Sequence, residues 1–468
     1  MTTESRKNSG LIRGLGVWAA AAVVVGTMIG QSVFLMASDM SREVGSATKV
    51  LAAWIVGGVV VLFGAFCYAE LGAAMPEAGG DYIYLSRGLS PVWGFLFGWT
   101  SALIIRPGSA AVIAAGLLRF VGFLWPPVTV PIFTWNLWIP FQTQPHPFVF
   151  TAAQPMAAGA VLVVTGLNYL GVRTAGRFQL FLTTLKVAAV AAILVIGFTA
   201  KGSSEDLSGY IPSPAHGAVA AFLAALVPVM AAYNGFSLLG NVGGEILNPE
   251  KNLPRAALFG TSLVIVLYVL INWVYFHVLS FSQVVHTQHV ASDAVAQMVG
   301  PIGAKWFTVA MIVSAFGSLH AGFLTGPRVP YAMARDGLFF SFTKRLHPTF
   351  HTPSGAVLFQ GCIAILLVLT GTHQELYSYT MFATWAFFAL TAVALIRLRN
   401  NMAELARPYR VWGYPWTPML FGITAISISI NLWILQPIRS SAGLVVILLG
   451  LVFYRHWQKQ SVATERPA

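Results

Sequence analysis

The sequence has few charged residues for its length. Only 9% of its 468 residues are Asp, Glu, Lys or Arg, while 57% are hydrophobic and the mean hydropathy is +0.73. A soluble domain carries about a quarter charged residues, so this composition excludes that class. The apolar residues form runs of roughly 20, the length of a helix that crosses a bilayer. The sequence therefore predicts an all-α polytopic membrane protein.

Cysteines and common catalytic motifs are also scarce. The two cysteines, Cys67 and Cys362, fall in predicted spans, and their separation suits neither a metal site nor a disulfide framework. The sequence contains no HExxH, no GxSxG and no phosphate-binding loop. No small-residue cleavage site follows the first apolar run, so we expect a retained span instead of a signal peptide. We expect no enzyme, no cofactor and no metal ion.

The distribution of the basic residues along the chain fits a membrane topology. Lys and Arg number 27, against 15 Asp and Glu. With the N-terminus in the cytoplasm, 19 of those 27 fall in inner segments or at the inner ends of spans, as the positive-inside rule requires. We therefore expect a cell-membrane protein with both termini cytoplasmic and no nucleic-acid partner. The twelve predicted spans are residues 16–38, 50–73, 92–120, 156–171, 178–199, 217–245, 256–280, 304–333, 355–371, 376–397, 416–436 and 441–455.

Two predicted spans are interrupted by residues that weaken a helix. The first contains VVVGTMIGQSVF (23–34), and the sixth contains VPVMAAYNGFSLLGNVGGEILNPEKNLPRA (227–256). Glycine and proline disfavour a helix, and unpaired backbone groups are costly in lipid unless they face protein, water or a ligand. A matched pair of interrupted spans points to the binding site of a transporter. For Gly26 and Gly30 the alternative is close helix packing through small residues.

Several motifs resemble those of the amino acid–polyamine–organocation superfamily. VVVGTMIGQSVF is similar to its Gly-x-x-Ile-Gly-Ser-Gly-Ile-Phe signature, and AAYNGFSLLGNVGGEILNPEKNLPRA is similar to its sixth span and the loop after it. Further resemblances are TLKVAAVAAILVIG (184–197), SAFGSLHAGFLTGPRVPYAMARDGLFF (314–340) and RPYRVWGYPWTP (407–418). The resemblance covers essentially the whole chain. It is strongest for the L-type amino-acid transporter branch, especially bacterial serine/threonine exchangers.

The resemblance implies a fold and an activity. The family fold is a LeuT-like five-plus-five inverted repeat with broken helices 1 and 6, followed by two further helices. The family activity is alternating-access transport of amino acids, which implies a secondary-active exchanger or uniporter that works without sodium. The implied units are a cytoplasmic tail (1–15), two repeats (16–199 and 217–397), a helix pair (416–455) and a second cytoplasmic tail (456–468).

The resemblance also bears on a partner protein. Animal members of the family bind a heavy chain through a cysteine in the outer loop between spans 3 and 4. The corresponding loop here, residues 121–155, contains no cysteine. We therefore expect no disulfide-linked heavy chain, and the expected partners are membrane lipid and amino-acid substrates.

The resemblance further implies which residues hold an amino acid. The backbone N–H groups of Gly30, Gln31 and Ser32 match those that bind the substrate carboxylate. The family has Gly-Ser-Gly there, so the Gln31 side chain either narrows the pocket or adds a hydrogen bond, and Ser32 adds a hydroxyl. Tyr233 or Phe236 is either the gating aromatic or a packing residue. Asn234, which lies between them, either faces the substrate or ends a helix. The other implied substrate-binding residues lie at the same two breaks: Thr27, Met28, Ile29, Ala231, Ala232 and Gly235.

A lysine lies inside the fifth predicted span. A charge at mid-membrane is costly and therefore functional by default, although a lysine near a span end places its amine at the interface. In the resembled branch a lysine here replaces sodium and bridges span 1 carbonyls to span 8. Lys186 matches it, with Ser314 and Ser318, four residues apart on one helix face, as expected neighbours. Proton coupling stays open.

Arg106 is the second cation inside a predicted span, directly before Pro107. Arginine keeps its charge and needs an acceptor, a carboxylate or water. The Ile-Arg-Pro resembles branch members that carry cystine and glutamate, which makes substrate binding one interpretation. The other is a structural cation that faces backbone carbonyls of neighbouring helices.

Two acidic residues mark the predicted cytoplasmic ends of spans. We expect Glu245 and Glu70 to form an inner gate with Arg328, Arg335 and Asp336, or to anchor the span ends.

The functional hypotheses follow from these sites. The leading one is an exchanger or uniporter for small neutral L-amino acids. A carrier of anionic amino acids or cystine is the alternative, resting on Arg106. A non-transporting amino-acid sensor would use the same pocket.

Overall fold

The computed structural model describes residues 11, 13–137, 146–200, 202, 218–287, 289–370 and 373–464, and these form a helical bundle. Its first eight α-helices are α1 (Val17–Met28), α2 (Ser32–Val44), α3 (Ala47–Ala74), α4 (Asp81–Gly88), α5 (Pro91–Thr100), α6 (Arg106–Leu124), α7 (Ala153–Tyr169) and α8 (Val172–Thr199). The others are α9 (Ala218–Ala232), α10 (Pro249–Val278), α11 (Phe281–His286), α12 (Val290–Thr325), α13 (Arg328–Arg335), α14 (Ser354–Thr370), α15 (His373–Asn401), α16 (Trp416–Leu435) and α17 (Pro437–Thr464).

Short elements complete the described chain. A π-helical turn covers Ser101–Ile105, and 3-10 helices cover Pro126–Thr129, Phe236–Glu245 and Ser341–Lys344. Strands β1 (Pro131–Leu137) and β2 (His146–Thr151) pair antiparallel in the predicted outer loop.

The exterior of the bundle is apolar. Ten helical segments of the described residues are long and apolar enough to cross a membrane. Large apolar side chains are exposed on them, including Ile302, Trp306, Ile434 and Val452. Such apolar surface is rare on soluble monomers and favourable in lipid. The protein is therefore a multi-pass membrane protein.

Two of the twelve predicted spans coincide with helices that are short for a membrane crossing. The predicted spans 156–171 and 355–371 coincide with α7 and α14, which have 17 residues each. A perpendicular crossing takes roughly 20 residues. The twelve-span count and the inverted repeat therefore stay predictions, while the polytopic helical fold is observed.

Both predicted interruptions are present. In the first span, helix ends at Met28 and resumes at Ser32. In the sixth, α9 ends at Ala232 and a 3-10 helix begins at Phe236. The helix α1 is central, because it packs against α8, α10 and α12. Its broken end is therefore enclosed by protein, where exposed backbone groups find partners.

Candidate functional site

The two helix breaks meet at Gly235. This residue has a φ of +149°, which favours glycine. A Cβ there would lie 2.8 Å from Thr27 Oγ1 and 3.1 Å from the backbone nitrogen of Met28. The Tyr268 hydroxyl joins the two breaks, since it donates to the Met28 carbonyl at 2.6 Å and lies 3.4 Å from the Ala232 carbonyl.

A cavity of about 80 Å³ lies beside this junction. Small-molecule sites usually measure roughly 300–1,000 Å³, so this cavity has room only for a small ligand. Eight of the predicted site residues line it: Thr27, Met28, Gly30, Gln31, Ser32, Ala231, Ala232 and Asn234. The described lining also contains residues that the sequence analysis missed: Ser109, Val112 and Ile113 of α6, and Thr380 and Met381 of α15. These lie on helices whose sequences carry no interruption there, so only the folded bundle identifies them.

The other predicted binding residues lie outside the described lining. Ile29 turns its carbonyl towards Lys186. Tyr233 is buried, stacks on Tyr268 at 5.1 Å and donates its hydroxyl to the Trp54 carbonyl. These contacts support the packing interpretation of Tyr233.

Phe236 is also a packing residue. Its ring lies 5.4 Å from that of Tyr68 and 5.2 Å from that of Phe388. Both distances are typical of aromatic packing in a core. Neither aromatic that was expected as a gate faces the cavity.

Lys186 lies between the first break and α12. Its Nζ donates to the carbonyls of Gly26 at 3.1 Å and Ile29 at 2.6 Å, and to Ser318 Oγ at 2.9 Å. The side chain is buried, so it does not reach a membrane interface. The geometry is the bridge that the sequence analysis expected, whereas its role in transport stays a prediction. Ser314 contributes only its carbonyl, at 3.3 Å from Ser318 Oγ, and its hydroxyl has no hydrogen bond within the described residues.

Two further polar side chains of α8, those of Gln179 and Thr183, lie next to the contact between Lys186 and α1. Gln179 donates to Thr183 Oγ1 at 3.0 Å, and Thr183 donates to the Ala22 carbonyl at 3.1 Å. A Cβ on Gly26 would lie only 2.0 Å from Gln179 Nε2, so the glycine permits this approach. The buried His320 of α12 lies 2.9 Å from Gln179 Oε1. The sequence analysis did not single out this histidine, although it lies within a predicted span.

Arg106 is buried next to a π-helical turn. Pro107 follows it and lacks an N–H donor, which explains the wider turn over Ser101–Ile105. Arg106 is within electrostatic range of the buried Asp81 carboxylate. Because it lies outside the described cavity lining, these contacts support the structural interpretation of Arg106.

Asp81 was not singled out from the sequence. It lies on α4, outside the candidate spans, and accepts hydrogen bonds from Tyr68 and, at 2.8 Å, from Thr391. Burial raises the pKa of the Asp81 carboxyl from 3.8 to about 6, although these two hydrogen bonds oppose the shift. A carboxyl group of this kind titrates near neutral pH.

A buried ion pair joins Glu245, at the end of a 3-10 helix, to Arg328, at the start of α13. Glu245 accepts two hydrogen bonds from Arg328, at 2.7 and 3.1 Å, and the two side chains are 0% and 1% exposed. The expected pair is therefore present, but it is fully buried and not surface-like. The backbone of Leu15 pairs with the segment around Glu245. Leu15 N donates to the Glu245 carbonyl, and Leu247 N donates to the Leu15 carbonyl.

Glu70 does not join this pair, and its contacts support the alternative that it anchors a span end. Glu70 accepts from Arg399 and from the backbone nitrogen of Val411, and lies 3.5 Å from Arg407. It therefore anchors α3 to the end of α15 and the segment after it. Asp336 accepts from Tyr82 instead, at 2.7 Å. The acidic residues thus belong to separate networks.

A second and larger space adjoins the cavity and is called the vestibule. It measures about 480 Å³ and is lined by residues of α2, including Asp39 and Glu43, and by Arg119 of α6. Gln31 and Ser32 line both the cavity and the vestibule. These two residues therefore form part of the boundary between the cavity and the vestibule.

Comparisons with known proteins agree with this architecture. The family model for amino acid permease matches residues 15–454. The chain is 30% identical over 460 residues to the serine/threonine exchanger SteT of Bacillus subtilis (strain 168), covering 98% of this chain and 99% of that protein. It is 30% identical over 462 residues to the b(0,+)-type amino acid transporter 1 of Oryctolagus cuniculus, covering 97% and 88%.

A further relative is the cystine/glutamate transporter of Homo sapiens. It is 29% identical over 436 residues, which cover 92% of this chain and 83% of that protein. These relatives are transporters and not enzymes. The chain belongs to the amino acid permease family.

Proposed function

We propose that this protein is a secondary-active transporter that moves small neutral L-amino acids across the cell membrane, as an exchanger or uniporter. The observation that carries the proposal is the junction of two broken helices beside a cavity in a member of the amino acid permease family. Broken helices expose backbone donors and acceptors at mid-membrane, where they bind charged groups of a substrate.

The lining of the cavity supports a neutral side chain. None of its described residues is charged. A zwitterionic backbone would be held by main-chain groups, with the carboxylate on the N–H groups of residues 30–32 and the ammonium on carbonyls of the two breaks. Val112, Ile113 and Met381 supply apolar surface for a small side chain. An anionic side chain would need a cation there, and Arg106 lies outside the described lining.

The proposed topology has twelve spans and an inverted repeat. Its units are residues 16–199 and 217–397, with a helix pair at 416–455. The matching positions of the two breaks support the repeat, since one follows α1 and the other follows α9. The asymmetry of Lys and Arg supports cytoplasmic tails at 1–15 and 456–468.

Sodium independence and independence from a heavy chain are part of the proposal. The Lys186 ammonium lies among carbonyl and hydroxyl oxygens, the ligands that a bound sodium ion would use. The absence of cysteine from residues 121–155 argues against a disulfide-linked partner.

Counterflow into proteoliposomes tests the function. The purified chain is reconstituted alone, the vesicles are loaded with unlabelled L-serine, L-alanine or L-threonine, and uptake of the same labelled amino acid is followed. Accumulation above empty vesicles supports transport. Saturable binding of the amino acid without counterflow would replace the proposal by the sensor hypothesis.

A further inference from the structure

The Gln31 side chain crosses from the first break to α6. Its Nε2 donates to the Val112 carbonyl at 3.0 Å, and the residue is 5% exposed. Val112 belongs to the middle of α6, whereas Gln31 directly precedes the first turn of α2. The amide therefore connects the broken helix to a neighbouring continuous helix.

Gly116 provides the space for this amide. A Cβ on Gly116 would lie 1.6 Å from Oε1, 2.0 Å from Cδ and 2.3 Å from Nε2 of Gln31. Gly116 is four residues after Val112, so both lie on the same face of α6. The missing side chain of Gly116 is what lets the Gln31 amide reach the Val112 carbonyl. A larger residue would expel the amide from this notch.

The location of the amide is functionally important. Gln31 is shared by the cavity and the vestibule, so it forms part of the partition between the two spaces. A solute that passes from vestibule to cavity must pass this partition. The two sides of the break are held differently. The Ile29 carbonyl accepts a hydrogen bond from the ammonium of Lys186, whereas the Gln31 amide donates a neutral hydrogen bond to the Val112 carbonyl. A neutral hydrogen bond is weaker than one from an ammonium group.

We propose that Gln31 and Gly116 form a latch that closes the cavity towards the vestibule and limits the length of the substrate side chain. The latch rests on the proposed transport function. When the amide is in the notch, the partition is closed and the space beside Val112 is filled. When the amide leaves the notch, the break separates from α6 and the cavity joins the vestibule. A shorter residue at position 31 enlarges the cavity along α6.

A double-mutant cycle tests the latch. Counterflow of L-serine and L-alanine is compared for the unmodified chain, Gly116→Ala, Gln31→Ser and the combined variant. Gly116→Ala should slow counterflow by about tenfold, because the expelled amide no longer closes the partition, which the transport cycle has to close. Gln31→Ser should slow counterflow for the same reason, and the combined variant should be no slower than either single variant, because the second substitution acts on a latch that is already open. Gly159→Ala and Gly166→Ala are matched controls on α7, since a Cβ at either glycine meets no atom within 4 Å.

A selectivity measurement tests the same latch independently. Inhibition of L-serine counterflow by L-leucine and by L-alanine is measured for the unmodified chain and for Gln31→Ser. The potency of L-leucine relative to L-alanine should rise about tenfold in Gln31→Ser, as expected when a pocket gains room for extra methylene groups. This selectivity measurement still tests the latch if Gly116→Ala does not fold in detergent.

The outcomes separate the two proposals. Absence of counterflow by the unmodified chain with every amino acid would overturn the transport function itself. Counterflow by the unmodified chain with additive effects in the cycle, or with unchanged relative potency of L-leucine in Gln31→Ser, would overturn the latch alone.

Discussion

Lys186 and Ser318 reach the same two carbonyl oxygens, those of Gly26 and Ile29. These are carbonyls of the last turn of α1 and of the residue that follows it, which a continuous helix would pair with later N–H groups. A buried cation and a hydroxyl replace that pairing. The break is therefore stabilised within the membrane by α8 and α12, and the two side chains act as one unit.

Removal of the ammonium should disorder this break. Lys186→Met keeps the aliphatic stem and loses three hydrogen bonds. We expect counterflow to fall by roughly 100-fold, because small displacements of binding groups have effects of that size. Thr184→Ala is the matched control on α8, since Thr184 is exposed and bonds only within its own helix. Near-normal rates with unchanged substrate affinity in Lys186→Met would contradict the proposed role.

The buried ion pair between Glu245 and Arg328 should be essential for the stability of the fold. Arg328→Gln leaves Glu245 buried without its cation, which costs about 3–5 kcal/mol of unfolding free energy. The combined Glu245→Gln and Arg328→Gln variant should lose less, because neither charge is then left unpaired. Unfolding in detergent, followed by heating or denaturant, measures both effects.

Arg87→Gln provides the comparison for this pair. Arg87 pairs with Glu77, and their side chains are 26% and 34% exposed. A partly exposed pair of this kind contributes about 1 kcal/mol or less. Equal destabilisation by Arg87→Gln and Arg328→Gln would show that burial does not determine how much the Glu245–Arg328 pair contributes to the free energy of unfolding.

The sequence predicts the breaks well because they depend on local composition. Glycines and polar residues clustered within an apolar run indicate an interrupted membrane helix. Both interruptions are present at the expected positions. Lys186 was identified for the same reason, since a charge in a span is conspicuous. Its contact with Ser318 follows the expectation of the resembled family.

The rest of the site depends on tertiary packing. Ser109, Thr380 and Met381 are ordinary residues of continuous helices, and only the bundle brings them to the cavity. Glu70 was grouped with Arg328 because both were expected at cytoplasmic ends of spans. Its carboxylate instead points to Arg399, a partner more than 300 residues away in sequence. Charged residues that are predicted on the same side of the membrane therefore need not contact each other.

Asp81 should give transport a dependence on pH. Burial raises its pKa to about 6, so the folded protein keeps this proton up to about pH 6 and loses it above. The groups that face it are Tyr68 of α3, Thr391 of α15, Arg106 of α6 and Tyr84 of its own helix. Deprotonation therefore creates the anion that faces Arg106.

An uncharged substitute should reproduce the protonated state. Counterflow by Asp81→Asn at about pH 7.5 should match that of the unmodified chain at about pH 5, and its pH profile between these values should be flat. The profile is measured with the same pH on both sides of the vesicle membrane. A profile of Asp81→Asn that parallels that of the unmodified chain would exclude Asp81 as the titrating group.

Anionic amino acids should not compete for the cavity. Because the described lining contains no cation, excess L-glutamate and L-aspartate should leave L-serine counterflow unchanged, whereas L-alanine should inhibit it. Inhibition by L-glutamate that disappears in Arg106→Gln would instead assign Arg106 to the substrate site.

Sodium-independent transport is tested by counterflow of the purified chain alone, measured in sodium and again with sodium replaced by choline. We expect vesicles loaded with L-serine, L-alanine or L-threonine to accumulate the same labelled amino acid, at equal rates in both salts. Accumulation that requires sodium would contradict the role of the Lys186 ammonium, and a lack of accumulation in both salts would contradict the transport function.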